Sequence, residues 1–100
     1  MINEINEFVA YLNNTHGNDS RSFDFIEGKV YYKITTYTNN TSVYAFIPKA
    51  DIDNKSIGKA SKGSLLKPAG WNAPAKHARG NVFDKDTWNN AGVYSLAYLK

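Results

Sequence analysis

At 100 residues, with 42% hydrophobic and 14% aromatic residues, the chain can bury the core of one domain, which excludes general disorder. It has no cysteine, which excludes disulfides, thiolate metal sites and cysteine nucleophiles and fits a reducing compartment. The net charge of +3 is too small to indicate a partner by itself. The N-terminal residues lack the basic and apolar regions of a signal peptide, and no apolar run approaches roughly 20 residues, so we expect no membrane partner.

The first predicted element is an N-terminal helix over residues 1–13. Its apolar residues follow the i, i+3, i+4, i+7 pattern that places one stripe of a helix against a core. Asn13, Asn14 and Gly17 are typical of residues that end a helix. The buried stripe is predicted to consist of Ile2, Ile5, Phe8, Val9 and Leu12.

Antiparallel strands are predicted over residues 22–66. The clearest signal is KVYYKITTY, residues 29–37, where aromatic and β-branched residues alternate with period two. Asn39 and Asn40 suit a hairpin turn that leads into the strand SVYAFI, residues 42–47. In that strand we expect Val43, Ala45 and Ile47 to share one face, and Tyr44 and Phe46 to share the other.

Two irregular segments are predicted in the second half of the chain. Residues 49–62 are polar and basic, which is typical of an exposed loop. Residues 67–83 begin KPAGWNAPAKHARGN, and two prolines and two glycines in this stretch disfavour a regular helix or strand. We therefore predict an ordered basic loop there. Asp84 is a suitable cap for a short helix through Trp88.

These elements predict a single α+β domain over residues 1–100. Its architecture is an N-terminal helix plus a curled antiparallel sheet of four or five strands with a long structured basic loop. The terminal residues after Gly92 are ambiguous between helix and strand. The predicted parts are the helix at 1–13, antiparallel strands at 22–66, the basic loop at 67–83, and a short helix and terminal element at 84–100.

The charges are distributed unevenly along the chain. Residues 54–83 contain six cations and no acid, whereas the rest of the chain contains six cations and all nine acids. The segment therefore carries +6 and the remainder −3. A block of one sign either forms a solvated face or creates a field that attracts an anion, and the composition leaves both interpretations open.

The side chains that commonly perform catalysis form no recognisable active-site pattern. His16 lies in a polar stretch, and His77 has basic neighbours but no nearby acid in the sequence to orient it. The two D-x-D pairs, at 51–53 and 84–86, lack the further oxygen ligands that a calcium site needs, so turn and cap roles are favoured. We therefore predict no enzyme, no metal site and no cofactor.

The candidate binding site is the basic segment with its aromatic residue. Cations hold phosphates, and an aromatic face stacks a base with a contribution of about 1–3 kcal/mol. Trp71 has two open roles, as a core residue beneath the loop or as an exposed contact. Tyr31, Tyr37 and Tyr44 would extend the platform if their strand faces are exposed. The predicted ligand-binding residues are Lys67, Trp71, Lys76, His77, Arg79 and Asn81.

The chain also resembles a group of small bacteriophage proteins of unknown function. The resemblance rests on Tyr31–Ile34 (YxKI), Ser42–Phe46 (SVxAF) and Gly63–Asn81 (containing KPAxWxxPAKxxRGN), and it covers residues 23–100. Residues 49–62 depart from it, because the group has a short turn there. The resemblance implies a phage gene product that acts in the host bacterial cytoplasm, or is packaged in the particle, in host takeover or against host defence.

Two non-enzymatic functions are compatible with these features, and a small hydrolase that uses His77 is a third hypothesis. The leading hypothesis is a non-enzymatic protein that binds a phosphate-bearing ligand, either nucleic acid or a nucleotide, through Lys67, Lys76 and Arg79. The alternative is a protein-interaction module that inhibits a host protein or is a minor virion component. In that case aromatic residues would form the centre of the contact and lysines its rim. Nucleic-acid binding that weakens steeply with salt would distinguish the first from the second.

Overall fold

The computed structural model describes residues 1–55, 58–92 and 96, without the side chains of residues 54, 76 and 77. The terminal element that the sequence leaves ambiguous lies outside these residues, except for Leu96, which is buried. The described residues form an α-helix, seven strands and a short 3-10 helix. These are α1 (Ile2–His16), β1 (Ser22–Glu27), β2 (Tyr31–Tyr37), β3 (Thr41–Pro48), β4 (Ile52–Asn54), β5 (Gly58–Ala60), β6 (Ser64–Pro68), β7 (Pro74–Asn81) and the 3-10 helix Lys85–Asn90.

Five of the strands form one antiparallel sheet in the order β1-β2-β3-β6-β7, and β4 and β5 form a separate two-stranded hairpin. α1 and the 3-10 helix pack on one side of the sheet, which we call the inner face. The opposite side is the outer face. This arrangement confirms the predicted α+β class, with a helix followed by an antiparallel sheet.

The main hydrophobic core lies between α1 and the inner face. Ile5, Phe8 and Leu12 are fully buried on the predicted stripe of the helix, where they belong to one cluster with Ile34 of β2. Each large apolar side chain buried in this way contributes about 1.5–3 kcal/mol relative to its exposed state. Ile2 is 41% exposed, so its predicted place in the buried stripe is wrong.

The helix α1 continues three residues beyond its predicted end at residue 13. His16 Nε2 lies 2.8 Å from the carbonyl oxygen of Ala91, so a tertiary hydrogen bond supports the last turn. Gly17 then ends the helix, and its N–H donates to the carbonyl of Asn13 at 3.0 Å. The Asn13 side chain, expected to end the helix, instead pairs with the backbone of Phe23 in β1.

A β-bulge changes the predicted side-chain alternation of β3. Ile34 of β2 pairs with Ala45, but the next pair along is Thr35 with Val43, which leaves Tyr44 as an extra residue on β3. Tyr44 consequently joins the inner-face core together with Ala45. The strict alternation predicted for this strand is therefore wrong at Tyr44.

Most of the predicted basic loop is a hairpin formed by β6 and β7, so the loop prediction for residues 67–83 was wrong. Pro68 pairs with Pro74 where the two strands meet their turn, and β7 is an edge strand of the sheet. Missing proline N–H groups are tolerated at strand ends and sheet edges. The predicted exposed loop at 49–62 likewise contains a short hairpin, β4–β5.

The short helix predicted after β7 is confirmed as the 3-10 helix. The side chain of Asp84 caps it by accepting a hydrogen bond from the N–H of Asp86 at 3.2 Å. Trp88 is buried against α1, with its ring centroid 5.3 Å from that of Phe8, and its Nε1 donates to the carbonyl of Val82 at 3.3 Å. Among the described residues, neither helix combines the length and hydropathy that crossing a bilayer requires.

Candidate functional site on the outer face

The outer face carries one continuous row of side chains across all five strands of the large sheet. Directly paired residues of antiparallel strands point to the same face and lie about 4.5–5.5 Å apart at Cβ. The register links one residue from each strand in this way. The row consists of Ile26, Lys33, Phe46, Leu66 and Ala78.

The two ends of this row differ in how much protein covers them. Near β3 and β6, Phe46 and Leu66 are buried in a second cluster with Ala60 of the β4–β5 hairpin. Near β1 and β2, Ile26 and Val30 are each 51% exposed. The β4–β5 hairpin thus covers one part of the outer face and leaves an apolar part in contact with solvent.

Trp71 lies beside this exposed part, in the turn between β6 and β7. The turn is closed by hydrogen bonds from the N–H groups of Ala69 and Gly70 to the carbonyl of Ala73, at 2.9 and 3.2 Å. The Trp71 side chain is 48% exposed, so of its two predicted roles the core role is wrong. Lys33 Nζ lies 4.4 Å from the centroid of the Trp71 ring, within the range of a cation–π contact.

Lys33 is the central residue of the site. Its ammonium lies over Trp71, 5.7 Å from the ring centroid of Phe46, and 3.5 Å from Oδ1 of Asn72. The Phe46 ring also makes an edge contact with Tyr31, with their centroids 5.5 Å apart. Desolvation by burial raises the pKa of Tyr31. These contacts place the half-buried lysine among aromatic carbons.

Among the predicted cations whose side chains the structure describes, Lys67 is directed away from the face of Trp71. Leu66 belongs to the outer-face cluster, whereas Leu65 belongs to the inner core, so alternation along β6 directs Lys67 to the inner side. The register of β7 is irregular on both sides of Ala78, the partner of Leu66, so alternation assigns no side to Arg79, which follows Ala78 directly. Both cations are half buried. The side chains of residues 76 and 77, also predicted as ligand-binding, lie outside the described residues.

Asn81, the last predicted site residue, holds a turn. Its Nδ2 donates to the carbonyl of Lys62 at 3.0 Å, and its Oδ1 accepts from the N–H of Phe83 at 2.9 Å. The N–H of Asn81 donates to Oγ1 of Thr87 at 2.9 Å. The side-chain amide of Asn81 therefore uses both its nitrogen and its oxygen to link the end of β7 to the segments around Lys62 and Phe83.

The three tyrosines predicted as a platform occupy different environments. Tyr31 is half buried on the outer face, and Tyr37 is 52% exposed at the end of β2. Tyr44 is buried on the inner face, where its hydroxyl donates to the carbonyl of Gly92. Desolvation by burial raises the pKa of Tyr44 well above its usual range. The expectation that Tyr44 extends an exposed platform is therefore wrong.

The two D-x-D pairs have backbone-capping roles. The Asp51 carboxylate accepts a hydrogen bond from the N–H of Lys62 at 2.7 Å, and Asp84 caps the 3-10 helix. These bonds confirm the turn and cap roles favoured from the sequence. Within the described part of the chain, no group of three or more histidine and acidic side chains is placed to hold a metal ion.

Two shallow depressions flank the Lys33–Trp71 pair. The first has a volume of about 170 Å³ and is lined by apolar and aromatic side chains together with Lys29, Lys33 and Asn72, with no acid in its lining. The second is lined by residues 41–43 and 68–71 and contains no charged side chain. The exposed outer face therefore offers an apolar and aromatic surface whose only lining charges, in these two depressions, are positive.

Sequence reasoning did not identify Lys33, Ile26 or Val30 as site residues. Strand periodicity placed Lys33 on the face of β2 opposite Ile34, but that pattern is equally typical of a solvated face. The contact between Lys33 and Trp71 joins residues 38 positions apart and has no local signal. Only the order of the strands brings them together.

Comparison with known proteins gives one family. A family model described as a family of unknown function, DUF7717, matches residues 3–93. Searches of curated proteins and of solved structures found no match. The match includes α1, all seven strands and the 3-10 helix, and thus the whole outer face. The chain belongs to the DUF7717 family.

Proposed function

We propose that this protein is a non-enzymatic binding module that contacts a partner protein through the outer face around the Lys33–Trp71 pair. The observation that carries the proposal is the exposure of three large apolar side chains, Ile26, Val30 and Trp71, beside a lysine fixed by aromatic rings. Buried aromatic anchors with a charged rim are the usual centres of protein interfaces.

The backbone of the site is held by strand pairing and by hydrogen bonds of the turn. Lys33 lies on β2, which pairs on both sides, and Trp71 sits in a turn closed by two backbone hydrogen bonds. Side chains held in this way lose little conformational freedom when a partner covers them, which reduces the entropic cost of association. This supports a binding role for the face.

The resemblance to small bacteriophage proteins sets the proposed context. The partner would be a host protein that this protein inhibits, in host takeover or against host defence, or a phage protein in the particle. The protein would then act in the host bacterial cytoplasm or be virion-associated.

Site-specific photocrosslinking tests the interface. A benzoylphenylalanine introduced in place of Ile26 is expected to crosslink one protein at high yield in the host bacterium. The same crosslinker in place of Ile2, which is 41% exposed at the start of α1, is the matched control and is expected to give no such product. Adding Trp71→Ala should abolish the Ile26 product. Equal products from both positions would contradict the proposal.

A second candidate function is the binding of a phosphate-bearing ligand, either nucleic acid or a nucleotide. It is favoured by the acid-free segment 54–83, which supplies Lys67 and Arg79 from the two paired strands of one hairpin. Alternation along β6 directs Lys67 to the side opposite the face that carries Trp71. The test is binding of an oligonucleotide that weakens steeply with salt and is lost when Lys67, Lys76 and Arg79 are all changed to alanine, while Trp71→Ala leaves it unchanged.

A further inference from the structure

We infer that the first depression, beside Ile26 and Val30, binds an extended segment of the partner in which an apolar residue and an acidic residue are two positions apart. This inference rests on the proposed function, because it names the chemistry of the partner at the same face. It is carried by the charges and the spacing of the side chains that line the depression.

The charge around the depression is positive. Lys29 is exposed and Lys33 is half-buried, and the lining contains no acid. The neighbouring Glu27 is already paired with Lys49, with Nζ and Oε2 2.7 Å apart. Asp24 lies two residues from Ile26 on the same face of β1, and one of its oxygens accepts the N–H of Phe25 at 2.8 Å. Lys29 and Lys33 therefore outnumber the one nearby acid without a lysine partner, Asp24. This excess of positive charge favours an anionic group on the partner.

Lys33 is suited to receive that group. Among the described residues no carboxylate lies within ion-pair distance of its ammonium, whose nearest polar partner is Oδ1 of Asn72 at 3.5 Å. Its ammonium lies 4.4 Å from the ring centroid of Trp71 and 5.7 Å from that of Phe46, so aromatic carbons cover part of it. A carboxylate that approaches from solvent would add a charge-assisted hydrogen bond to a lysine that is already ordered.

The spacing of the side chains indicates how far apart the two residues of the partner are in sequence. Ile26 pairs directly with Lys33, so their side chains lie side by side, about 4.5–5.5 Å apart at Cβ. In an extended segment, residues i and i+2 point the same way and are separated by about 6.6 Å. An apolar side chain resting on Ile26 would therefore place a carboxylate two residues on within reach of the Lys33 ammonium.

Capped heptapeptides test this inference by NMR with the uniformly ¹⁵N-labelled protein. The probe is Gly-Ser-Leu-Ser-Glu-Ser-Gly, and its controls replace the glutamate by lysine or the leucine by serine. We expect the probe to shift the indole N–H of Trp71 and the backbone amides of Ile26, Val30 and Lys33. Each control peptide is expected to bind at least about fivefold more weakly.

Charge-reversal variants provide a second test of the inference. Lys29→Glu with Lys33→Glu is expected to reverse the preference, so that the lysine peptide binds at least about fivefold more tightly than the probe. Lys29→Glu alone changes an exposed residue and is expected to weaken the probe without affecting the fold. Lys59→Glu, which changes an exposed residue of β5, is the matched control and should leave the probe's affinity unchanged.

The outcomes separate this inference from the proposed function. Equal binding of the glutamate and lysine peptides, or no shift with any peptide, would overturn the inference, whereas crosslinking from Ile26 would still support the interface. Shifts of the same resonances by an eight-nucleotide oligothymidine, with none from the probe, would overturn both. Failure of Ile26 to crosslink, with selective binding of the glutamate peptide, would count against the interface in the cell and not against the chemistry of the depression.

Discussion

Lys33 on β2 and Trp71 in the β6–β7 turn form a contact across the outer face, with Nζ 4.4 Å from the ring centroid. The pair joins the turn of the β6–β7 hairpin to β2. In the sheet, β3 lies between β2 and β6, so the contact spans a strand. It also lies between the two depressions of the candidate site. The same contact is therefore expected to contribute to stability and to binding.

A double-mutant cycle on this pair measures its contribution to stability. We expect Lys33→Gln and Trp71→Leu to couple by about 0.5–1 kcal/mol in the free energy of unfolding, the usual strength of an exposed cation–π contact. Urea unfolding of the wild type, both single variants and the double variant gives the coupling. The cycle of Lys62→Gln with Trp71→Leu is the control and should be additive. Additivity in both cycles would show that the Lys33–Trp71 contact contributes nothing measurable.

The Asn13 side chain is expected to protect the open edge of the sheet at β1. Its Nδ2 donates to the carbonyl of Phe23 at 3.0 Å and its Oδ1 accepts the N–H of Phe23 at 2.8 Å, as a neighbouring strand would. Asn13→Ala should lower the free energy of unfolding by about 1–3 kcal/mol, because it leaves two backbone groups without these bonds.

The matched control for this variant is Asn14→Ala, which changes an exposed asparagine of the same helix and should have an effect within about 0.5 kcal/mol. Freed backbone groups on an edge strand also favour pairing with another chain. Sedimentation velocity should therefore detect self-association of Asn13→Ala at high concentration. Equal stabilities of the two variants would contradict the role of Asn13.

The buried hydroxyl of Tyr44 predicts a loss of stability in alkali. Burial raises the pKa of Tyr44 in the folded state above its value of about 10 in the unfolded chain. A raised folded pKa means that the stabilisation is complete below about pH 10 and falls as the pH rises beyond it, since only the unfolded state ionises readily. Urea unfolding between pH 8 and 11 measures this decline.

Tyr44→Phe tests whether Tyr44 is the group whose ionisation lowers the stability in alkali. It removes the hydrogen bond to the carbonyl of Gly92, so we expect it to be less stable by about 1 kcal/mol at pH 7 and to lose less stability above pH 10. Tyr37→Phe alters an exposed tyrosine and should retain the wild-type decline. An identical alkaline decline in both variants would exclude Tyr44 as the titrating group.

Alanine substitutions at three glycines distinguish the cost of backbone strain from the cost of steric conflict. Gly63 has φ +85°, and an added Cβ would lie 2.6 Å from the Phe83 ring and 2.7 Å from Oδ1 of Asn81. Gly58 has φ +79° with open space around it, and Gly70 has open space with no positive φ.

Alanine at these three positions should therefore rank in the order Gly63, Gly58, Gly70 in loss of unfolding free energy. We expect more than about 2 kcal/mol at Gly63, about 1 kcal/mol at Gly58 and close to zero or a slight gain at Gly70. Thermal unfolding measures the order. A loss at Gly70 as large as that at Gly63 would contradict the described geometry of the β6–β7 turn.

The sequence by itself determined the elements whose signals are local. The spacing of Ile5, Phe8 and Leu12 predicted the buried stripe of α1, because a helix brings residues three and four apart to one face. The alternation in residues 31–34 predicted β2, and Asp84 predicted the start of the 3-10 helix, since a cap acts within three residues. The α+β class followed from the order of these elements.

Only the tertiary structure decided the features that depend on pairing between distant strands. Pro68 and Pro74 argued locally for a loop, yet they are accommodated because they meet at the end of a hairpin. The register between β2 and β3 decided that Tyr44 turns inward, and the strand order decided that Trp71 lies over Lys33. Local propensity acts over a few residues, whereas register and strand order are set by the burial of the whole sheet, so the candidate site could not be predicted from any one segment.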